Sequence, residues 1–141
     1  MSDKLTILVA DDDLDDTALL KYAFKETGIK NPVTFVDNGE ELLSFLKSAE
    51  EGVNEFPCLI FLDLNMPKIG GHEALKIMKA SPRWRSIPVL VFSTSDFKDD
   101  IAQVYDLGAA GYIVKPPRYA DLLAVLKAIK AYWIDSVTLP S

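Results

Sequence analysis

Five short runs of almost unbroken apolar residues punctuate the chain: "LTILVA" at 5–10, "VTFV" at 33–36, "CLIFL" at 58–62, "PVLVFS" at 88–93 and "AGYIV" at 110–114. Runs of this length with little polar alternation predict strands covered on both faces. The segments between them show helical spacing instead. "LDDTALLKYAFKETG" opens with aspartates, which favour a helix N-terminus, and stops at Gly28. "NGEELLSFLKSAE" carries Leu42, Leu43, Phe45 and Leu46 on one side, and "GHEALKIMKAS" ends before Pro82. "SDFKDDIAQVYDLG" offers Ser95 and Asp96 as caps and closes at Gly108. "RYADLLAVLKAIKAYW" sets Leu122, Leu126, Ile129 and Trp133 along one stripe. Strands alternating with helices predict an α/β fold: a five-stranded parallel sheet with right-handed crossovers and helices on both faces. Internal repeats, low-complexity linkers and a second domain are absent from the pattern, so one domain is expected over residues 1–141.

In sheets of this kind functional groups collect in the crevice beyond the C-terminal strand ends. The exits here are chemically distinctive. Asp11, Asp12 and Asp13 follow the first run and Asp63 follows the third. Ser93 and Thr94 follow the fourth, and Lys115 with Pro116 the fifth. Adjacent carboxylates repel one another and resist losing water, so a positive partner is expected among them. Carboxylates and a backbone carbonyl supply the oxygen environment that magnesium prefers. A cation, a lysine and a hydroxyl together can neutralise a phosphoryl group, with one carboxylate as acceptor.

Charge and cysteine usage narrow the picture further. Fifteen Lys and Arg against 21 Asp and Glu leave a formal charge of −6, which argues against a nucleic-acid binder. The lone Cys58, inside "FPCLIFL", cannot form an internal disulfide and fits a reducing cytoplasm. The N-terminus lacks a secretory signal, and no run approaches the ~20 apolar residues of a membrane span. The expectation is a cytoplasmic protein with neither membrane nor nucleic acid as a partner.

Taken in order, "VADDD", "LDLNMP", "FSTS" and "GYIVKP" closely resemble the receiver domain of two-component response regulators, a match that runs from about residue 4 to 131. The resemblance implies the flavodoxin-like (βα)5 receiver fold, with residues 132–141 as a C-terminal tail and no output domain. It implies Asp63 as phosphoacceptor, Asp12 as a direct Mg2+ ligand, Asp11 acting through water and Asn65 offering its backbone carbonyl. Ser93 becomes the switch hydroxyl, Tyr112 the switch aromatic and Lys115 the phosphoryl partner. The bond before Pro116 is usually cis in this family. "DDDLDD", the loop "KSAEEGVNEFP" and the tail "YWIDSVTLP" resemble the small stand-alone regulators associated with bacterial phytochrome kinases. Three positions depart from the family pattern: Gly70, which suggests a looser loop, Thr94 beside the switch hydroxyl, and Pro117.

The expected function is a switch that takes a phosphoryl group from a partner sensor histidine kinase and also dephosphorylates itself. A homodimer is expected through the fourth helix, fifth strand and fifth helix, using Val104, Leu122, Leu126, Ile129 and Trp133. The alternative is an aspartate-nucleophile phosphatase of the haloacid-dehalogenase kind. That chemistry needs a general acid two residues after the nucleophile, where Asn65 stands. A flavin or nucleotide module is opposed by the acidic, glycine-poor first turn. Asp13, Asp15 and Asp16 read as a solvated helix start, His72 as an exposed surface residue, Cys58 as core, and Trp84 as cover for a loop edge.

Overall fold

A computed structural model describes residues 5–140. Its elements are β1 (Thr6–Ala10), α1 (Leu14–Glu26), β2 (Val33–Val36), α2 (Gly39–Glu50), β3 (Pro57–Leu62), α3 (Gly71–Ala80), β4 (Val89–Ser93), α4 (Lys98–Leu107), β5 (Gly111–Val114) and α5 (Tyr119–Ile129). A wider π-helical turn, Lys130–Ile134, extends α5. All strand pairs are parallel and the sheet order is β2-β1-β3-β4-β5. The chain leaves β1 toward β2 on one side and later returns to place β3 on the other. That reversal opens a crevice above the C-terminal ends of β1 and β3.

Side-chain alternation along the strands divides the core into two layers. Leu8, Ile60, Leu62 and Val91 pack with Leu42, Leu46, Leu75, Met78 and Val104 of α2, α3 and α4. Ile7, Val9, Leu59 and Phe61 pack with Leu20, Phe24, Leu122, Leu126 and Ile129 of α1 and α5. Within the second layer, the Phe61 ring lies 5.6 Å from that of Phe24 and 5.8 Å from that of Phe92. Every residue of β3 is buried, which is why its sequence shows no polar alternation. Cys58 is core as expected, and burial pushes its thiol up to about 11.

Several expectations are corrected. Helix α4 begins at Lys98, later than the caps Ser95 and Asp96 implied, and Phe97 precedes it without a side-chain cap. Ser95 Oγ is engaged elsewhere: it donates to Asp100 Oδ2 at 2.5 Å and accepts from the Phe97 N–H at 3.3 Å. The stripe along α5 holds through Ile129, but Ile134 rather than Trp133 is the next buried residue. The widened turn, with the Asp135 N–H on the Lys130 carbonyl at 2.9 Å, delays the inward position by one residue. Val104, Leu122, Leu126 and Ile129 are all core residues, so they offer no dimer contact. The apolar side chains left exposed around α4, β5 and the end of α5 are Phe97, Tyr105, Val114 and Tyr132. His72 is half-buried, not exposed, with its Nε2 shielded from solvent. No peptide bond among the described residues is cis, so the one before Pro116 is trans.

Candidate functional site

The acidic rim is held by main-chain bonds that continue the sheet past its last regular residues. The Asp11 N–H donates to the Val36 carbonyl and the Asp63 N–H to that of Ala10, both at 3.0 Å. The Lys115 N–H donates to the Ser93 carbonyl at 2.8 Å. Each residue is thereby aimed by its strand. Asp11 and Asp63 are almost fully buried, whereas Asp12 is exposed. Each of the three offers a carboxylate oxygen, and these oxygens lie within 4.8 Å of one another. A set of oxygen donors so close together fits a hard divalent cation. Asn65, expected to lend its carbonyl, is exposed at the same rim, and its N–H donates to Asp63 Oδ1 at 3.1 Å.

Two glycines lock the loop that carries Asn65. Gly71 donates its N–H to the Leu64 carbonyl at 3.0 Å, and Gly39 donates its own to that of Ile69 at 3.1 Å. A Cβ on Gly39 would fall 2.1 Å from the Ile69 oxygen, and one on Gly71 2.4 Å from the Asp63 oxygen. Only a residue without a side chain permits either approach. The loop is therefore tied at both ends.

Lys115 gathers the carboxylates. Its Nζ lies 3.0 Å from Asp11 Oδ2, 3.1 Å from Asp63 Oδ2 and 2.7 Å from Asp16 Oδ2. Burial works against the ammonium charge. The hydrogen bond to Asp16 and the charges of Asp63 and Asp11 outweigh it and hold the lysine above its usual pKa. Asp11 moves the other way from a typical carboxylate: burial lifts it to about 6, the negative Asp63 adds to the rise, and the Asp13 N–H and Lys115 only partly offset it.

The hydroxyl side of the rim is arranged around one loop. Ser93 is wholly buried, and its Oγ accepts from the Ser95 N–H at 3.2 Å. Half-buried Tyr112 donates its hydroxyl to the Ser95 carbonyl at 2.7 Å. Both expected switch residues thus meet the β4–α4 loop at the same residue. Thr94 is exposed.

Asp13 behaves as a helix start, accepting from the Asp15 and Asp16 N–H groups at 2.9 and 3.2 Å. Asp16 does not: the helix-start reading missed its contact with Lys115. A signal existed in the spacing. Asp16 precedes Thr17 and Leu20, which α1 buries, so it borders the inward face of its helix and can reach back to the rim.

A family model described as the response regulator receiver domain matches residues 7–127. The chain belongs to this family. This receiver is 34% identical over 132 residues to the probable methanogenesis regulatory protein FilR2 of Methanothrix harundinacea, covering 94% of this chain and 85% of that one. It is 34% identical over 136 residues to response regulator Rcp1 of Synechocystis, covering 96% and 92%. The structure of the phosphorylated cyanobacterial phytochrome response regulator RcpA superposes with a TM-score of 0.89 at 36% identity, covering 98% of this receiver and 99% of that chain. The Mn2+-bound form of Rcp1 superposes with a TM-score of 0.88 at 33% identity, covering 97% and 99%. The receiver is a two-component signalling switch, and a histidine kinase is the partner its family implies. No helix among the described residues is long and apolar enough to cross a membrane.

Proposed function

We propose that Asp63 is the phosphoacceptor of this receiver and that the transfer depends on Mg2+. The observation that carries the reading is Lys115 Nζ lying within 3.1 Å of Asp63 at the strand exits, beside the Asp11–Asp12–Asp63 oxygen cluster. In the transfer, a carboxylate oxygen of Asp63 forms a bond to phosphorus as the donor's P–N bond breaks, and the kinase histidine leaves with the electron pair. Lys115 stabilises charge on the phosphoryl oxygens, and the Asn65 N–H orients the attacking carboxylate through Oδ1. Asp12, Asp63 and the Asn65 carbonyl would hold the cation, with Asp11 acting through water; when bound, the ion supplies charge neutralisation for the incoming phosphoryl group. Ser93 and Tyr112 carry the change outward from the site to the β4–α4 loop. The same residues give the receiver slow self-phosphorylation by small donors and self-dephosphorylation.

The phosphatase alternative gains no support. Asn65 cannot act as a general acid by proton donation, and its N–H is already directed at Asp63. A phytochrome-type kinase in the cytoplasm is the proposed partner, a choice supported by the likeness to RcpA. A homodimer over α4, β5 and the end of α5 is proposed through Phe97, Tyr105, Val114 and Tyr132, the exposed apolar residues there. Nucleic acid is not a proposed partner, in keeping with the charge of −6. The deciding experiment is incubation of the wild type with acetyl phosphate and Mg2+, followed by intact mass. One added phosphoryl group in wild type and none in Asp63→Asn is the expected result. Equal labelling of Asp63→Asn overturns the assignment.

A further inference from the structure

Lys115 has three ammonium hydrogens and three carboxylates around it, at 2.7, 3.0 and 3.1 Å. Each hydrogen is therefore committed. The three acceptors are not equivalent. Asp11 and Asp63 belong to the oxygen cluster suited to a cation, so a bound ion draws on both of them. Asp63 also changes identity when it becomes an aspartyl phosphate. Asp16 stands outside that cluster, makes the shortest of the three contacts and is not itself altered by phosphorylation of Asp63.

We propose that Asp16 is a positioning residue for Lys115: it holds the ammonium so that the hydrogen directed at Asp63 stays aimed at the place where the phosphoryl group arrives. This rests on the reading of Asp63 as phosphoacceptor and adds a residue to it. A lysine stem has four flexible carbons, so its ammonium is only as well aimed as its contacts make it. Asp16 is well placed for this work because α1 is fixed at its start by the Asp13 cap. Leu19, Leu20, Phe92, Pro116 and Leu122 line the cleft that Asp16 and Lys115 share, with Lys115 the more buried of the pair. Asp15, one residue away, carries the same charge but lies outside the set around Lys115.

The test measures the initial rate of phosphoryl uptake from acetyl phosphate at saturating Mg2+, by intact mass on the full chain. In each case a carboxylate oxygen bonds to phosphorus as the P–O bond to acetate breaks and acetate leaves. Asp16→Ala is expected to slow uptake about tenfold, and Asp15→Ala to leave it unchanged. Asp16→Asn, whose amide oxygen still accepts from Lys115, recovers most of the rate. Mg2+ affinity, followed by intrinsic fluorescence, stays within about twofold in all three, because Asp16 is not in the oxygen cluster. In a Lys115→Ala background, Asp16→Ala adds nothing. A rate equal to wild type in Asp16→Ala overturns the inference. So does equal slowing with and without Lys115, which would mean a general effect on α1, or a slowing matched by lost Mg2+ affinity. A wild type that takes no phosphoryl group brings down the phosphoacceptor reading itself, and is distinguished from these by that control alone.

Discussion

The crevice is walled on one side by β1, β3 and α1 and on the other by α4 and β5, and the two walls have unequal backing. All six residues of β3 are buried, and α1 buries Thr17, Leu20, Ala23 and Phe24 behind an Asp13 cap. Helix α4 buries only Val104 and has no side-chain cap, while β5 is half-buried or exposed along its whole length. The acidic residues stand on the first wall and the hydroxyls of Ser93 and Tyr112 face the loop of the second. The carboxylates proposed to meet a cation and a phosphorus atom are carried by elements that cannot move cheaply, while Lys115 reaches them from the exit of β5. Ser93 sits at the end of the fully buried β4, but the β4–α4 loop and β5, which carry the proposed report outward, expose little apolar surface when displaced, so a few kcal/mol suffices to shift them.

The largest expected effect lies on the anchored wall. Asp63→Asn abolishes phosphoryl uptake from acetyl phosphate by intact mass, while the protein stays folded. Next, Phe61→Ala, which removes the middle ring of the Phe24–Phe61–Phe92 stack, costs about 3–5 kcal/mol in urea denaturation. Phe97→Ala on the other wall, where the side chain is 72% exposed, stays within about 0.5 kcal/mol. Similar costs for the two would erase the contrast.

A pH titration gives an intermediate effect. With Asp11 raised to about 6 in the metal-free protein, a proton competes with the cation. Mg2+ affinity is expected to be about tenfold weaker at pH 5 than above pH 7. The same shift has an opposite consequence for folding. Asp11 holds its proton more tightly when folded than its ordinary 3.8 allows, so its contribution to metal-free stability falls as pH rises from about 4 to 6. Isothermal titration at stepped pH checks the first and chemical denaturation the second. The smallest effect is that of Tyr112→Phe, which deletes the bond to the Ser95 carbonyl and costs about 0.5–1.5 kcal/mol. Its signature is faster hydrogen exchange confined to the β4–α4 loop and the start of α4, with α1 unchanged.

The central strands were legible because the runs of β1, β3 and β4 are sealed on both faces, and position at a strand end is enough to assemble Asp11, Asp12, Asp63, Ser93 and Lys115. What the chain does not display linearly is what helices do near their ends. Asp16 belongs to the site through the rotation of α1. The start of α4 slipped because Ser95 spends its hydroxyl on Asp100 instead of capping. Trp133 lost its inward place to Ile134 through one widened turn. Leu122, Leu126 and Ile129 form an apolar stripe that reads equally as core or as interface, and only the sheet beneath them decides.

Cys58 supplies a clock for the whole molecule. Its thiol sits in β3, between β1 and β4, buried and pushed to about 11, so a thiol-specific reagent finds almost no thiolate to attack in the closed sheet. Labelling then waits for the central strand to be released. Because the chain has a single cysteine, the rate of adduct formation under native conditions reads out the lifetime of the intact sheet without any engineered probe. A partner or a cation that binds the closed form will show itself as a longer time to modification.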